Sequence, residues 1–190
     1  NIRPASATPG LLPTSNAVRK YRGPKDTLDL MVRNALGKNG EQSAIVRRFT
    51  EYVVGQVQPK CYLSEIISIR NVFTQYSSRI PGVPLIKYVN DPRFTEWLKT
   101  PERLVREINE HGFTTADCDE YACLAGTMLL QIGRAVRYAA MGFAPRSLSH
   151  VAVCGKEPKS GQWILLDGVA GPREREAANK AVELMFRVVD

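Results

Sequence analysis

The sequence is poor in the residues that form metal sites and disulfide frameworks. Its 190 residues include two histidines and four cysteines, Cys61, Cys118, Cys123 and Cys154. The cysteines lack the paired short spacings of zinc sites and of disulfide frameworks. We therefore expect reduced thiols, no metal and no cofactor, as in a bacterial cytoplasm or a particle assembled there. All but Cys118 lie in apolar settings and are predicted to be packing thiols.

Long apolar runs are also missing. No stretch reaches the roughly 20 consecutive apolar residues of a membrane-spanning helix, so no membrane span is predicted. The opening residues do not join a basic segment to an apolar one, so we predict no signal peptide. With 44% hydrophobic residues, the chain has enough apolar material for one compact domain with a core.

Acidic residues are absent from residues 1–25, which contain five basic residues and four prolines. The whole chain has a net charge of +7, so this segment supplies most of it. It cannot bury enough apolar surface to offset the entropy of ordering it. We predict an extended arm over 1–25 that makes few contacts with a single domain over 26–190. The arm is either solvated or docks on an acidic partner, such as a protein neighbour or nucleic acid.

Helical periodicity dominates the first two thirds of the domain. It predicts helices over 27–36, 43–57, 100–112 and 117–133. The apolar segment 62–75 fits a helix or a strand, and the prolines of 77–92 predict a loop. Thr100 before Pro101 is a typical helix start, and Gly112 a typical end.

Short segments rich in Val, Ile, Leu and aromatic residues follow at 136–143, 150–155 and 163–167, and are predicted strands. The turn-forming cluster at 156–161 predicts that the last two form an antiparallel hairpin. A final helix is predicted over 173–188. Helices followed by a small antiparallel sheet belong to the α+β class.

The motif Asp117-Cys118-Asp119 heads the helix predicted over 117–133. Unpaired backbone N–H groups and the helix dipole favour an anion there, so we predict a lowered pKa for the Cys118 thiol. The N–H of Cys118 is also placed to donate to an oxyanion. The two acids need no chemical role, because they fit an N-cap and a first-turn acid.

A nucleophilic thiol needs a base and a group that orients the base. His111 ends a predicted helix and is expected to be a helix-terminus residue. His150 begins one predicted strand and Asp167 ends the next, so antiparallel pairing places them within reach. The carboxylate would then hold the imidazole, which would face Cys118. Trp163 alternates onto the face of Asp167 and either lines this site or packs.

These motifs together resemble the transglutaminase-like cysteine-enzyme core, in variants known from phage and prophage proteins. The resemblance is carried by Asp-Cys-Asp before an apolar helix, by Ser149-His150-Val151 opening a strand, and by Trp163-Ile164-Leu165-Leu166-Asp167. The stretches Tyr88-Val89-Asn90-Asp91-Pro92 and Thr100-Pro101-Glu102 are similar too, and the resemblance covers about residues 70–170.

The resemblance implies a papain-like, transglutaminase-like core with its nucleophile at a helix N-terminus. Cys118 would be the nucleophile, His150 the base and Asp167 the orienting acid of a catalytic triad. Ala116 departs from the glycine that many members have before the acid. The family's oxyanion-hole side chain is not placed, since Gln75 and Tyr76 lie upstream but the spacing selects neither.

The expected function is cysteine-dependent acyl transfer through a thioester on a protein or a peptidoglycan peptide. Water as acceptor gives a hydrolase, a thiol protease or amidase, which the resemblance favours; an amine gives a crosslinking enzyme. The alternative is a structural component of a bacteriophage particle, in the head, neck or tail, that keeps the fold with idle or lost activity. The arm would then contact virion protein neighbours, and the expected location is a phage particle or the bacterial cytoplasm.

Overall fold

Five helices and eight strands make up the described part of the chain. The computed structural model describes residues 15–17, 23–91, 97–145, 147–169 and 181–189. The helices are α1 (Pro24–Leu36), α2 (Ala44–Val54), α3 (Tyr62–Val72), α4 (Pro101–His111) and α5 (Cys118–Gln131). The strands are β1 (Ser15–Ala17), β2 (Ile86–Tyr88), β3 (Trp97–Lys99), β4 (Thr114–Ala116), β5 (Val136–Ala144), β6 (Ser147–Lys156), β7 (Trp163–Leu166) and β8 (Glu183–Val189).

Helix α4 begins and ends where its capping residues predict. The side chain of Thr100 accepts the backbone N–H of Arg103 at 3.4 Å. Pro101 takes the first helical position, where its missing N–H has no helical partner to lose. Gly112 ends the helix in the left-handed conformation, with φ 82°, and its N–H donates to the carbonyl of Ile108. The predicted start and end are confirmed.

Helix α5 runs through the core. Residues 119–129 are all buried, as expected for a helix that is packed on every side. The helix lies against α1 and β6. Gly155 of β6 permits this close approach, because a Cβ there would lie 2.8 Å from Cδ2 of Leu129. The core therefore fixes the helix that carries Cys118 at its first residue.

A four-stranded antiparallel sheet packs on α5, with the strand order β7-β6-β5-β8. Strands β6 and β7 form the predicted hairpin, in which Cys154 pairs with Leu165. The register of β5 against β6 shifts between Met141 and Gly142, next to the pair Met141–His150. Such an irregularity changes the direction in which neighbouring side chains point. The helices and the antiparallel sheet confirm the α+β class.

The predicted final helix is wrong where the structure describes it. Glu183–Val189 form β8, which pairs antiparallel with β5. Residues 170–180 lie outside the described residues. Val182, Phe186 and Val188 are β-branched or aromatic, so the segment suits a strand. The pairing also covers an edge of β5 that would otherwise expose its backbone polar groups.

Two short strand pairs complete the described fold. Strand β1 pairs antiparallel with β3, with Ser15 opposite Lys99, so this part of the predicted arm contacts the domain. Helix α1 begins at Pro24, inside the segment assigned to the arm. Residues 1–14 and 18–22 lie outside the described residues, so the extent of the arm stays a prediction.

The segment between α3 and α4 supplies a strand that the sequence did not indicate. The predicted loop 77–92 contains β2, which pairs parallel with β4, and the undecided segment 62–75 forms α3. Among the described residues, no helix combines the length and the apolar character that crossing a membrane requires.

Candidate active site

Cys118 is the first residue of α5, directly after the N-cap Asp117. The N–H of Asp117 donates to Oε2 of Glu120 at 3.1 Å, and the N–H of Glu120 donates to Oδ1 of Asp119 at 2.7 Å. Asp117 takes the N-cap position and Asp119 lies in the first turn, as the sequence predicts. The Glu120 carboxylate also accepts the N–H of Lys99 at 2.8 Å, which ties the helix start to β3.

The pKa of the Cys118 thiol is raised, and the predicted lowering is wrong. Burial raises this pKa, and the negative charges of Asp117 and Asp119 raise it further, to about 12. Hydrogen bonds from the backbone N–H groups of Val151 and Cys118 favour the thiolate but do not offset these effects. The thiol is therefore protonated near neutral pH in the resting protein.

His150 and Asp167 form a direct bond. Nε2 of His150 lies 2.7 Å from Oδ2 of Asp167, and the other carboxylate oxygen accepts the N–H of Val169 at 2.9 Å. An ionised carboxylate only accepts hydrogen bonds, so the neutral imidazole carries its proton on Nε2. That tautomer leaves Nδ1 with a free lone pair, as a base requires.

Asp167 is more buried than expected. Its side chain is 1% exposed and that of His150 is 12% exposed. The position of Asp167 at the end of a strand beside Gly168 predicts a partly exposed side chain, and this prediction is wrong. The contact with His150 is partly shielded from water, and such shielding strengthens a hydrogen bond to a charge.

A backbone contact links Cys118 to the same strand. The sulfur of Cys118 accepts the N–H of Val151, the residue after His150 in β6. Cys118 therefore contacts the strand that carries His150, and His150 contacts Asp167. The direct contact between Cys118 and His150 stays a prediction. Their catalytic roles remain predictions.

Tyr88 is a neighbour of this site that sequence reasoning did not identify. The parallel pairing of β2 with β4 sets Tyr88 beside Ala116, two residues before Cys118. Burial raises the pKa of Tyr88 to about 12, and its proximity to Cys118 and to the carboxylates of Asp117, Asp119 and Asp167 contributes. Its hydroxyl donates to Oδ1 of Asn90 at 2.7 Å. The stretch from Tyr88 to Pro92 was noted, but only the parallel pairing places it at the site.

Tyr121, in the first turn of α5, packs near the ring of Tyr88. Its hydroxyl donates to the carbonyl of Ile86 at 2.8 Å. Its ring lies 5.0 Å from that of Phe73 and 6.5 Å from that of Tyr88, between centroids. Gly168, directly after Asp167, leaves room for Tyr121, because a Cβ at this position would overlap its ring.

The remaining candidates lie apart from these contacts. Cys123 and Cys154 are buried, as predicted, whereas Cys61 is only half-buried. His111 is the last residue of α4. Trp163 packs, with the Arg137 guanidinium 4.4 Å from its ring centroid. Within the described ranges, no group of three or more His, Cys, Asp or Glu side chains is arranged to hold a metal ion.

Gln75 and Tyr76 belong to a different concave surface. They help line a cavity of 630 Å³ between α2, the end of α3 and the end of α4. Neither Cys118, His150 nor Asp167 lines this cavity. Tyr76 pairs instead with Pro84 through an isolated backbone bridge. These contacts give no reason to assign either residue to an oxyanion hole at Cys118.

The described residues form an α+β protein with a bonded histidine–aspartate pair and, at a helix N-terminus, a cysteine that contacts the strand of that histidine. No protein-family model matches the chain, and no curated protein matches it. A solved structure of a proposed cysteine protease from Cytophaga hutchinsonii is similar at a TM-score of 0.49 and 12% identity. The match covers 88% of this chain and 59% of that one, so this chain spans less than two thirds of that structure. A likeness of this size identifies neither a family nor an activity.

Proposed function

We propose that the protein is a cysteine-dependent acyl-transfer enzyme that cleaves an amide bond in a protein or a peptidoglycan peptide. The observation that carries the proposal is the bond of 2.7 Å between His150 of β6 and the buried Asp167 directly after β7, with Cys118 in contact with β6. A buried carboxylate that fixes a histidine tautomer beside a thiol is the arrangement that nucleophilic catalysis needs.

The reaction proceeds through a thioester. Nδ1 of His150 takes the thiol proton while the sulfur of Cys118 bonds to the substrate carbonyl carbon and the carbonyl electrons move to oxygen. The tetrahedral intermediate expels the amine, which receives the proton from His150. Water then attacks the thioester with His150 again as the base, releasing the acid and restoring the thiol. Asp167 stabilises the imidazolium in both halves.

The raised pKa of Cys118 favours general-base catalysis over a preformed ion pair. A thiol with a pKa of about 12 is uncharged at rest, so its proton leaves only as the carbon–sulfur bond forms. Asp117 and Asp119 oppose a resting thiolate. Their charges also repel an acidic substrate, so we propose that the substrate is neutral or basic next to the cleaved bond.

The test compares wild type with Cys118→Ala and with Cys123→Ala, a control that removes a buried thiol of the same helix. Each is incubated with a mixed peptide library and with purified peptidoglycan, and products are identified by mass spectrometry. Cleavage by wild type and Cys123→Ala but not by Cys118→Ala supports the proposal. Equal cleavage by all three, or by none, contradicts it. Incorporation of a fluorescent primary amine into casein separates a crosslinking enzyme from a hydrolase.

A structural role in a phage particle is the second candidate, and two observations favour it. Residues 1–25 carry five basic residues and no acid, which suits docking on an acidic protein neighbour. The Cys118 pKa of about 12 would also suit a thiol that no longer reacts. A folded wild type that cleaves no substrate and whose Cys118 resists every electrophile would favour this role.

A further inference from the structure

Attack on a carbonyl creates a negative oxygen that hydrogen-bond donors must stabilise, and such donors supply a large share of catalysis. This inference rests on the proposed function. The first turn of α5 offers backbone N–H groups at Cys118. Among the described side chains, a second donor has to lie near the thiol, carry a proton at neutral pH and be open to the substrate.

Backbone pairing holds Tyr88 next to the thiol. Tyr88 lies opposite Ala116, and the N–H of Val89 donates to the carbonyl of Ala116 at 3.0 Å. The peptide that leads into Cys118 is therefore fastened to the strand that carries Tyr88. The ring of Tyr121, three residues after Cys118, lies 6.5 Å from the ring of Tyr88 between centroids. Tyr88 therefore contacts residues that precede Cys118 and residues that follow it in the sequence.

The hydroxyl of Tyr88 is both protonated and accessible. Burial is the largest cause of its raised pKa, and the neighbouring groups Cys118 and Asp167 raise it further. A pKa of about 12 keeps its proton in place at neutral pH. The residue is 42% exposed, so part of its side chain is open to solvent and to a bound substrate.

We propose that Tyr88 is a catalytic residue whose hydroxyl donates a hydrogen bond to the oxyanion formed when Cys118 attacks the substrate. In the resting protein this hydroxyl donates to Oδ1 of Asn90 at 2.7 Å. Asn90 accepts the hydrogen bond of the Tyr88 hydroxyl until the substrate oxygen replaces it as the acceptor. As the carbon–sulfur bond forms, the carbonyl electrons move to oxygen, which accepts from Tyr88, and the thiol proton moves to His150.

The test uses Tyr88→Phe, which removes one hydroxyl and keeps the ring. The matched control is Tyr52→Phe on α2, whose residue is 72% exposed and lies in the separate cavity. Three quantities are measured for each: kcat and KM on a cleaved peptide, the inhibition constant of a peptide aldehyde, and the alkylation rate of Cys118 by iodoacetamide. The aldehyde forms a tetrahedral adduct with an oxyanion-like oxygen, whereas alkylation forms none.

For Tyr88→Phe we expect kcat to fall about 10- to 100-fold with KM little changed, somewhat less than the loss of a sole oxyanion donor. Aldehyde binding should weaken by a similar factor, and alkylation and thermal stability should match wild type. An unchanged kcat in Tyr88→Phe overturns this inference and leaves the proposed function standing. A fall in alkylation equal to that in kcat also overturns it, since Tyr88 would then act on the thiol. A wild type without turnover or aldehyde binding overturns both this inference and the proposed function.

Discussion

The sulfur of Cys118 accepts a hydrogen bond from the backbone N–H of Val151, the residue that follows His150 in β6. This bond joins the first turn of α5 to the strand that carries the candidate base. It orients the thiol without lowering its pKa below the ordinary range, because burial, Asp117 and Asp119 act in the opposite direction. The resting site therefore holds a neutral thiol next to an oriented imidazole.

The alkylation of Cys118 should follow its raised pKa. Only the thiolate reacts, so with a pKa of about 12 the rate should rise about tenfold per pH unit between pH 6 and 10. The rate is measured with iodoacetamide and peptide mass mapping, and the half-buried Cys61 serves as a reference in the same digest. A rate that stays level from pH 5 to 8 would indicate a preformed thiolate–imidazolium pair and contradict this expectation.

Asp167→Asn should lower turnover roughly 10- to 1,000-fold, because asparagine favours the wrong histidine tautomer. A cysteine enzyme loses less than a serine enzyme, since its nucleophile ionises more readily. The burial of Asp167 adds an effect on stability, and we expect the free energy of unfolding to fall by about 1–3 kcal/mol. Peptide turnover and urea unfolding are measured together.

Turnover of Asp167→Asn must be compared at a temperature where both proteins are folded. His150→Gln is the companion variant, because it removes the base from the same bond. Normal turnover in Asp167→Asn would remove Asp167 from the site. An activity loss fully explained by the unfolded fraction would make Asp167 a structural residue.

Glu120 should make the protein less stable as pH rises from about 4.5 to 7. Burial raises the pKa of Glu120 to about 7, so in this window the native state binds a proton that the unfolded state has lost. Stability is therefore greatest at the acidic end and falls by roughly 3 kcal/mol as the carboxyl ionises. Glu120→Gln should remove most of this slope, measured by urea unfolding at pH 5, 6, 7 and 8.

Glu102→Gln is the control for this experiment. Burial alone would raise the pKa of Glu102, but hydrogen bonds from Ser43 and Arg106 lower it, so its titration falls below the window. Glu102→Gln should keep the wild-type slope between pH 5 and 8. A slope that is the same in wild type and Glu120→Gln would show that Glu120 titrates normally.

Gly168→Ala should disturb the site through Tyr121. The added Cβ would overlap the Tyr121 ring, which must then shift and change its contact with the Tyr88 ring. We expect the free energy of unfolding to fall by about 1–3 kcal/mol, and turnover to fall at least tenfold. The comparison is Gly133→Ala, which meets no neighbouring atom but has φ 72°, so it should lower stability by about 1–2 kcal/mol and leave turnover intact. Equal turnover in the two variants would contradict this role of Gly168.

Truncation separates the predicted arm from strand β1. Deleting residues 1–14 should change Tm by less than about 2 °C, because that segment contains Pro4, Pro9 and Pro13 and lacks apolar periodicity. Deleting residues 1–17 also removes β1, which pairs with β3 beside the buried Leu98, and should lower Tm by several degrees. Thermal unfolding of wild type and both truncations gives the three Tm values to compare. A large drop in the shorter truncation would show that the arm stabilises the domain.

Sequence patterns predicted the local structure around the site. Thr100 and Gly112 delimit α4 because capping depends on residues within one turn. The Asp-Cys-Asp motif before an apolar run predicted the start of α5, and the turn cluster predicted the β6–β7 hairpin. Because β6 and β7 are adjacent along the chain, the pairing of His150 with Asp167 followed from their places in the two strands.

Tertiary structure decided the features that depend on distant residues. The pKa of Cys118 depends on burial and nearby acids together, and burial is a property of the packed domain. Tyr88 lies at the site because β2 pairs with β4, and Glu183–Val189 is a strand because β5 has an open edge. No local pattern contains these partners, since strand pairing depends on which segments meet in the fold. The sequence by itself determined the candidate residues and their local elements, and tertiary structure determined their charge states and neighbours.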